Sequence, residues 1–382
     1  MNIAIDGRAF LYARTGIEYS ISQILKMFLE YHGEHEYLLY GAKGLGRNLV
    51  NQCRKRGRSI LDNIQPVPFP FRKLSRYYLE LTTSLAINKA DVQVFWGPNY
   101  RGVFSKKFKT VITIHDMAHI HYPDYTGKHN YHFFTRYLKE HSRESTRILC
   151  PSNVTKSDIV NYLEIPEEKV RVIYWGVDSH FRPVEDEVVV NRVKNRYGLI
   201  GDFILFVGTI QPRKNIEGLL EAFWILNEKK DFSHKLIIAG CKGWKYSEIF
   251  NRIEAYGLKE KVKWLGYVDY EDLPGLYSLA DVLVLPSYYE GFGFPILEAM
   301  ACGTPVVTSN VSSMPEVAGD AAILVDPNSP EMIAESIRQV LMDSELNQKL
   351  RETGLMRAKE FTWEKSADEI MAVFDEVVRE RP

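Results

Sequence analysis

The sequence predicts an α/β protein made of two doubly wound domains. Short apolar runs recur along the chain with helical segments between them, and the runs form two sets separated by a break. Strands that alternate with helices are typical of parallel sheets covered by helices on both faces. A chain of 382 residues is also long for one hydrophobic core and sufficient for two.

The predicted strands follow the apolar runs in chain order. In the first half the runs are NIAIDGRAF, YLLYGA, VQVFWGP, TVITIHD, RILCPS and VRVIYWGVD, and in the second half they are FILFVGT, KLIIAG, VKWLGYV, DVLVLP, PVVTS and AAILVD. The pattern stops within 177–202, where a charged helix intervenes, so we place the boundary near Pro183, between domains 1–182 and 183–361. Apolar residues at helical spacing predict a last packing helix from about Trp363 to Arg379.

Composition excludes several classes of protein. The formal charge is −1 with 25% charged residues, which gives no general reason to expect nucleic acid as a partner. No run approaches the ~18 apolar residues of a membrane span, and MNIAIDGRAF lacks the pattern of a signal peptide, so we expect a cytoplasmic protein. The cysteines form no CxxC pair, which argues against a structural zinc site or a disulfide framework; they are Cys53, Cys150, Cys241 and Cys302.

The stretch YYEGFGFPILEAMACGTPVV places two carboxylates, Glu290 and Glu298, around a loop that follows a buried strand. The strand is expected to end at Ser287 and the next helix to begin near Pro295, since proline suits the first helical position. Such a crossing exposes backbone N–H groups and a positive dipole end at the carboxyl edge of a parallel sheet, where anions bind. Glu298 is expected in the first helical turn, where it either complements the dipole or, with Glu290, accepts hydrogen bonds from sugar hydroxyls.

Cations follow another predicted strand of the second half. In FILFVGTIQPRKN, Arg213 and Lys214 lie at the turn after the strand. Adjacent cations are common on surfaces, but the carboxyl end of a buried strand is the position of a ligand in this architecture. An anionic ligand is therefore the alternative to a solvated turn.

The first half contains weaker candidates. Gly16 precedes an amphipathic helix and would let the backbone approach a phosphate, although one glycine is weak evidence. His115 ends a buried strand, where a histidine is either structural or directed to a ligand. His119 and His121 follow closely, but no second cluster with ligand spacing supports zinc.

Residues 41–110 are strongly basic. They contain fourteen Lys or Arg and three acids, a local net charge of +11, with RKRGR and FPFRKLSRYY as the densest parts. The stretch is either a solvated face or a surface for anionic lipid head groups or a lipid-diphosphate acceptor. A nucleic-acid surface lacks an accompanying fold signature.

EGFGFPILEAMACGTPVV resembles the E-x7-E signature of retaining glycosyltransferases of family 4, which have the GT-B fold. GTIQPRKN, SNVTKSDI, YWGVD and SSMPEVAGDAAILVDP are also similar to that family and occur in its expected order, so the resemblance covers nearly the whole chain. It implies two Rossmann-like domains facing a central cleft, an N-terminal domain for the acceptor and a C-terminal domain for the nucleotide sugar, with 362–382 packing back on the first domain.

The resemblance implies roles for individual residues. Glu298 would hold the ribose and Glu290 the transferred sugar, while Arg213 and Lys214 would bind the diphosphate. His115 would orient donor and acceptor, and Cys241 to Gly243 with Tyr267 to Val268 would surround the base. The expected catalytic residues are His115, Arg213, Lys214 and Glu290, and the expected donor-binding residues are Gly16, Gly208, Lys242, Tyr267, Val268, Gly291, Phe292, Gly293, Phe294, Ile296, Leu297 and Glu298.

The implied reaction is transfer of a hexosyl group with retention. GTIQPRKN and IAGCKGWKYSEIF look most like bacterial mannosyltransferases that use GDP-mannose, with a glycan or lipid-linked glycan as acceptor. No D-x-D motif ends a strand, so we expect catalysis without a metal or other cofactor. The alternatives are a UDP-sugar-dependent glucosyl or N-acetylglucosaminyl transferase, a GT-B nucleotide-sugar epimerase, and a non-catalytic nucleotide-sugar binder.

Overall fold

A computed structural model describes residues 1–7, 16–40, 64–67, 87, 91–123, 137–229, 232–243 and 246–380. These residues divide into two compact units. Unit 1 comprises the described parts of 1–117, 127–176 and 362–382, and unit 2 comprises those of 118–126 and 177–361.

Each unit contains one parallel β-sheet. The seven strands of unit 1 are β1 Asn2–Asp6, β2 Glu36–Tyr40, β3 Ile64–Val67, β4 Val94–Gly97, β5 Lys109–Thr113, β6 Arg147–Cys150 and β7 Val170–Val172. The six strands of unit 2 are β8 Phe203–Val207, β9 Lys235–Ala239, β10 Val262–Gly266, β11 Val282–Leu285, β12 Val306–Ser309 and β13 Ile323–Val325. The predicted pair of doubly wound sheets is confirmed.

The described helices surround these sheets. In chain order they are α1 Gly16–Tyr31, α2 Ala118–His121, α3 Lys139–Glu144, α4 Asn153–Leu163, α5 Glu187–Tyr197, α6 Ile216–Asn227, α7 Tyr246–Ala255, α8 Leu273–Leu279, α9 Phe294–Ala301, α10 Met314–Ala318, α11 Pro330–Met342, α12 Ser344–Ala358 and α13 Trp363–Arg379. Across the described ranges, none of these helices has the length and apolar character that crossing a bilayer requires.

The strand order is the same in both sheets apart from one added edge strand. The orders are β3-β2-β1-β4-β5-β6-β7 and β10-β9-β8-β11-β12-β13. In each sheet the order reverses between the first strand and the fourth, which are neighbours. Ligands of open α/β sheets bind at the carboxyl ends of the strands at such a reversal.

Strand β3 was not among the sequence predictions. Its residues, IQPV, contain a proline, which cannot donate a hydrogen bond to a neighbouring strand. Among the described residues, β3 lies at the edge of the sheet and pairs with β2, and proline is tolerated at such an edge. Because of this proline, the sequence pattern did not indicate a strand that pairs with β2.

The last helix, α13, packs within unit 1 against α1. The Phe374 ring lies 6.1 Å from that of Phe28, and the Ser366 hydroxyl donates to the Tyr174 carbonyl oxygen at 2.6 Å. Arg147 Nη2 binds Glu376 at 2.8 Å. These contacts explain why 362–380 belongs to unit 1 although it follows unit 2 in the chain.

The division differs from the sequence boundaries at two places. The chain passes into unit 2 at Val177, a few residues before the expected boundary near Pro183. The described part of 118–126 belongs to unit 2, whereas the sequence analysis assigned it to the first domain. The physical reason is aromatic packing, since the His121 ring lies 5.0 Å from the Tyr289 ring and the Tyr122 ring 6.3 Å from that of Tyr288.

Candidate functional site

The strongest constellation of charged side chains in unit 2 lies at the reversal of strand order. Strands β8 and β11 are neighbours there, with β9 and β10 on one side and β12 and β13 on the other. Arg213 and Lys214 follow β8, and Glu290 follows β11. The sheet therefore brings together side chains that are more than seventy positions apart in the sequence.

A short turn fixes the two cations after β8. Pro212–Lys214 form a 3-10 turn that ends at Asn215, whose backbone has φ 53°. The Asn215 side chain accepts from the Gly218 amide at 3.2 Å, which caps α6, and donates to the Pro327 carbonyl oxygen at 2.6 Å. Because asparagine tolerates this left-handed conformation, the turn can reverse directly into the helix.

Arg213, Lys214 and Glu290 form one ionic cluster, in which Lys214 and Glu290 are buried and Arg213 is half-buried. Lys214 Nζ binds Glu290 Oε1, and Arg213 Nη1 lies 2.9 Å from Glu290 Oε2. Arg213 Nη1 also donates to the Tyr289 carbonyl oxygen at 2.7 Å, and the Ser287 hydroxyl donates to Glu290 Oε1 at 2.8 Å. Lys214 is 8% exposed and Glu290 6% exposed, so the ion pairs are shielded from water.

The cluster keeps Glu290 ionised. Burial opposes its negative charge, but the nearby charges of Lys214 and Arg213, with the hydrogen bonds from Lys214 and Ser287, outweigh burial and lower the pKa of Glu290 to about 2. Two cations against one carboxylate leave a net positive charge beside the sheet edge. An anionic ligand is the natural complement of that charge.

The geometry changes the expectation for Glu290. The family resemblance implied that the acid binds sugar hydroxyls and that the cations separately bind the diphosphate. In the structure both carboxylate oxygens of Glu290 already accept from Arg213, Lys214 or Ser287. Glu290 is thus placed to orient the two cations, a function that its spacing from Glu298 did not suggest.

Two serines brace the Glu290 loop, and the sequence analysis missed both. The Ser312 hydroxyl accepts from the Glu290 amide at 3.1 Å and donates to the Glu290 carbonyl oxygen at 2.7 Å. Ser313 Oγ lies 2.9 Å from the Glu290 carbonyl oxygen and 2.8 Å from that of Phe292. Ser312 has φ 56°, in the left-handed region, which is unfavourable for residues other than glycine. Such a conformation is retained where surrounding contacts enforce it.

Helix α9 begins beside this loop. Gly293, with φ 112°, is its N-cap, and the helix starts at Phe294, as predicted near Pro295. Ile296 and Leu297 have fully buried side chains that cannot meet an anion, and the Ile296 N–H donates to the Gly293 carbonyl oxygen at 3.0 Å. The first turn of α9 offers an anion a positive dipole end, in the same loop as the cluster.

The predicted position of Glu298 was wrong. It is the fifth residue of α9, beyond the first turn, where it gains little from the dipole. The Tyr277 hydroxyl donates to Glu298 Oε2 at 2.7 Å. Burial raises the pKa of Glu298 to about 7, although the bond from Tyr277 opposes the rise.

We expect Glu298 to make stability depend on pH. Its folded pKa of about 7 exceeds the ordinary value of 4.5, so the folded state binds more protons than the unfolded state between these pH values. The stabilisation is fully present below pH 4.5 and is lost as pH rises through 7, by roughly 3 kcal/mol. Glu298→Gln should remove this loss, as measured by urea unfolding at pH 5 and pH 8.

The matched control is Glu254→Gln, a substitution at an exposed glutamate of α7. It should keep the wild-type change in unfolding free energy between the two pH values. An identical change in wild type and Glu298→Gln would show that this carboxyl group does not bind a proton in the folded protein at pH 5.

In unit 1, His115 follows β5 and is 8% exposed. Its Nε2 donates to the Pro98 carbonyl oxygen at 2.7 Å, and its ring packs near those of Tyr100 and Trp175. Burial lowers the pKa of His115 despite the opposing effects of Pro98 and Asp116, so the imidazole is neutral at neutral pH. Gly16 is the first residue of α1, and the preceding loop, 8–15, lies outside the described residues.

The remaining predicted donor residues lie after other strands of unit 2. Gly208 follows β8, and its amide donates to the Ala239 carbonyl oxygen at 2.9 Å. Lys242 follows β9 with its ammonium over the rings of Tyr246 and Trp264, 4.7 Å from each centroid. After β10, Tyr267 is 54% exposed and Val268 is buried. The part of the site predicted for the base thus lies on the β9 and β10 side of the cluster.

The histidines weighed as zinc ligands pack differently. The His121 ring lies against Tyr289, and His119 is buried in α2. Within the described ranges, the group of three side chains able to hold a metal is His32, Glu34 and His35, in unit 1. The geometry does not favour a zinc site at His119 and His121.

Sequence comparisons relate both units to known proteins. Residues 51–181 match the family described as Glycosyltransferase Family 4, and residues 192–356 match the family described as Glycosyl transferases group 1. The O-antigen chain mannosyltransferase B of Escherichia coli is 36% identical over 272 residues, which are 71% of this chain and 71% of that protein. The serotype-specific mannosyltransferase WbdA of Escherichia coli is 29% identical over 68% of this chain, but the match spans only 32% of WbdA.

Solved structures share the fold at low identity. Anabaena HepE, determined in complex with UDP and glucose, superposes with a TM-score of 0.76 at 19% identity, covering 98% of this chain and 100% of HepE. WaaG, a glycosyltransferase involved in lipopolysaccharide biosynthesis, has a TM-score of 0.73 at 16% identity, covering 98% and 99% of the two chains. At these identities the likeness concerns the fold.

Proposed function

This chain belongs to glycosyltransferase family 4, with the GT-B fold, and from that premise we propose that it transfers a mannosyl group from GDP-mannose. The acceptor is a hydroxyl of a glycan or lipid-linked glycan, and the anomeric configuration is retained. The sugar assignment is supported by the 36% identity to an O-antigen mannosyltransferase over 71% of both chains.

The observation that carries the proposal is the ionic cluster of Arg213, Lys214 and Glu290 beside the N-terminus of α9. A nucleoside diphosphate leaves with growing negative charge when its bond to the sugar breaks. Fixed cations in a site shielded from water stabilise that charge more in the transition state than in the ground state. Glu290 contributes by holding both cations in place before the substrate arrives.

The mechanism we propose is a transfer on one face of the sugar. The bond from the anomeric carbon to the phosphate oxygen breaks, a bond to the acceptor oxygen forms, and the acceptor proton passes to the departing phosphate. Glu290 is poorly suited to be a covalent nucleophile, since its carboxylate already accepts from two cations and a hydroxyl. The cations would also do the work of a metal ion, so the reaction is proposed to need no cofactor.

The other predicted residues keep supporting roles in this proposal. His115, neutral and anchored to Pro98, would orient donor and acceptor. Glu298 would bind the ribose diol, which a carboxylate can do by accepting two hydrogen bonds. Lys242 and Tyr267 would border the base.

The test is a thermal-shift panel of GDP-mannose, UDP-glucose, UDP-N-acetylglucosamine and an ADP-sugar, followed by product analysis. Stabilisation by GDP-mannose and an α-linked mannosyl product would support the proposal. A product formed from a UDP-sugar would show that the donor is that UDP-sugar and not GDP-mannose. Conversion of the sugar without an acceptor would indicate an epimerase. Binding without transfer or hydrolysis would identify a non-catalytic binder.

We also propose that the basic stretch 41–110 contacts anionic membrane, a proposal that rests on its charge of +11. Its densest parts lie outside the described residues. Reversing four charges there, at ~1 kcal/mol for each basic group, should weaken binding to phosphatidylserine vesicles by at least about 10²-fold in a flotation assay. The reversed residues, each changed to Glu, are Lys55, Arg56, Arg72 and Lys73.

A control protein carries the same number of reversals in unit 2, at exposed lysines. It should bind the vesicles as wild type does, and neither protein should bind neutral phosphatidylcholine vesicles. Equal binding by both variants would refute a membrane role for 41–110. The control positions are Lys194, Lys229, Lys349 and Lys359.

A further inference from the structure

Unit 2 contains an aromatic cavity beside the ionic cluster. Its volume is about 350 Å³, and its lining consists of Tyr122, Tyr288, Val311, Pro327 and Asn328. The Tyr122 and Tyr288 rings are stacked, with centroids 6.3 Å apart and planes at 29°. A concave site with aromatic walls and a few polar groups is typical of small-molecule recognition.

The walls of this cavity are tied to the residues of the cluster. The Tyr288 amide donates to the Arg213 carbonyl oxygen at 2.9 Å. Pro327 accepts from the side chain of Asn215, the residue that follows Lys214. Because these bonds join the cavity to the same turn that holds the cations, a ligand in the cavity would lie next to a ligand at the cluster.

The strand order gives the cavity a direction relative to the donor. Tyr288 follows β11 in the same loop as Glu290, and Val311 and Pro327 follow β12 and β13, which lie on one side of the cluster. The residues proposed for the base follow β9 and β10, on the other side. A nucleotide sugar that lies along this edge with its diphosphate at the cluster would therefore direct its sugar end toward the cavity.

We propose that this cavity is a subsite for a hexose ring of the acceptor glycan, with Tyr122 and Tyr288 as its stacking surface. The proposal rests on the proposed function and names the side of the site where the acceptor lies. A hexose has apolar C–H faces that pack on aromatic rings, while its hydroxyl groups can bond to the tyrosine hydroxyls and the Asn328 amide. In the proposed function the transferred sugar would lie between the diphosphate at the cluster and this cavity, which leaves the cavity for the next ring.

The test uses a mannotriose with a fluorescent label at its reducing end as acceptor and GDP-mannose as donor. Tyr122→Ala and Tyr288→Ala should each raise the acceptor KM by roughly 10- to 100-fold, the range that loss of one stacking contact produces. The donor KM and the rate of donor hydrolysis should stay within about twofold of wild type. Tyr122→Phe keeps the ring and should lose less than fivefold.

A binding measurement separates stacking from a structural effect. Saturation-transfer NMR with unlabelled mannotriose and GDP should show contact at the sugar C–H protons in wild type and in Tyr122→Phe, and its loss in the alanine variants. Tyr162→Ala, at an exposed tyrosine of α4 in unit 1, is the matched control and should behave as wild type. The melting temperature with and without GDP shows whether each variant is folded.

The outcomes separate this proposal from the proposed function. Folded alanine variants with an unchanged acceptor KM, or with equal increases in donor and acceptor KM, would overturn the subsite. So would a wild type that transfers mannose to other acceptors but neither uses nor binds mannotriose. A wild type that transfers no sugar from any donor would instead overturn the proposed function.

Discussion

Lys214→Ala is expected to lower kcat by about 10²- to 10³-fold, the effect of removing one preorganised donor from a charge-stabilising site. The Lys214 ammonium is buried and bound to Glu290, so in the proposed function it would bind the diphosphate without needing to reorganise. Because Arg213 still pairs with Glu290 and the Ser287 hydroxyl still donates to it, the carboxylate keeps a charged partner and the fold should survive. Steady-state kinetics at saturating donor and acceptor would measure the effect, with circular dichroism as a check on folding.

Two further variants define the cause of the loss. Lys229→Ala removes an exposed lysine of the same unit and should leave kcat unchanged. Lys214→Arg keeps the positive charge but not the compact ammonium, so it should recover only part of the activity. If Lys214→Ala retained kcat within threefold of wild type, the proposed role of this cation would be wrong.

Glu290→Gln is expected to impair both stability and turnover. Removing the charge leaves the buried Lys214 and the half-buried Arg213 without an acid, and breaking a buried pair such as Lys214–Glu290 costs about 3–5 kcal/mol. Because the glutamine side chain would no longer orient the two cations as the carboxylate does, kcat should fall by about 10²-fold. Urea unfolding and steady-state kinetics at pH 7 would measure the two effects.

The pH dependence distinguishes the ionic role of Glu290 from simple packing. Its pKa is lowered from 4.5 to about 2 in the folded protein, so its stabilisation is fully present above pH 4.5 and is lost as pH falls through 2. The gap in unfolding free energy between wild type and Glu290→Gln should therefore shrink when pH falls from 5 to 3.

Glu217→Gln is the control for this experiment. Glu217 forms a partly exposed ion pair with Arg252 at 2.7 Å, and such pairs contribute at most about 1 kcal/mol. Its substitution should alter stability little at any of these pH values. A gap for Glu290→Gln that stayed constant from pH 5 to pH 3 would contradict the ionic account.

Strands and helices were predicted correctly from the sequence where they depend on the pattern of neighbouring residues. DVLVLP reads as a strand because an apolar run without alternation suits a strand covered on both faces, and β11 is fully buried. The last helix was predicted over Trp363–Arg379, the range that α13 occupies. Strand β3 was not predicted, because it contains a proline, a residue that is unfavourable in most strands. The structure shows it paired with β2.

Motifs also identified which residue types belong to the candidate site. Arg213 and Lys214 were selected for the chemistry of a leaving diphosphate and Glu290 for sugar hydroxyls, and the structure brings these three together. Their mutual pairing was not predictable from spacing. The cations are 76 or 77 positions from Glu290, and the strand order alone decides that β8 lies beside β11.

By itself, therefore, the sequence determined most of the strands, the last helix and the family of this protein, since periodicity and motifs are properties of neighbouring residues. The tertiary structure alone decided the partners of the site residues. It placed Ser312 against Glu290 and packed Tyr122 with Tyr288. It also made a tyrosine hydroxyl, and not the helix dipole, the partner of Glu298. The reason is that hydrogen bonds, burial and pKa depend on distances in space, which sheet topology sets between residues far apart in the chain.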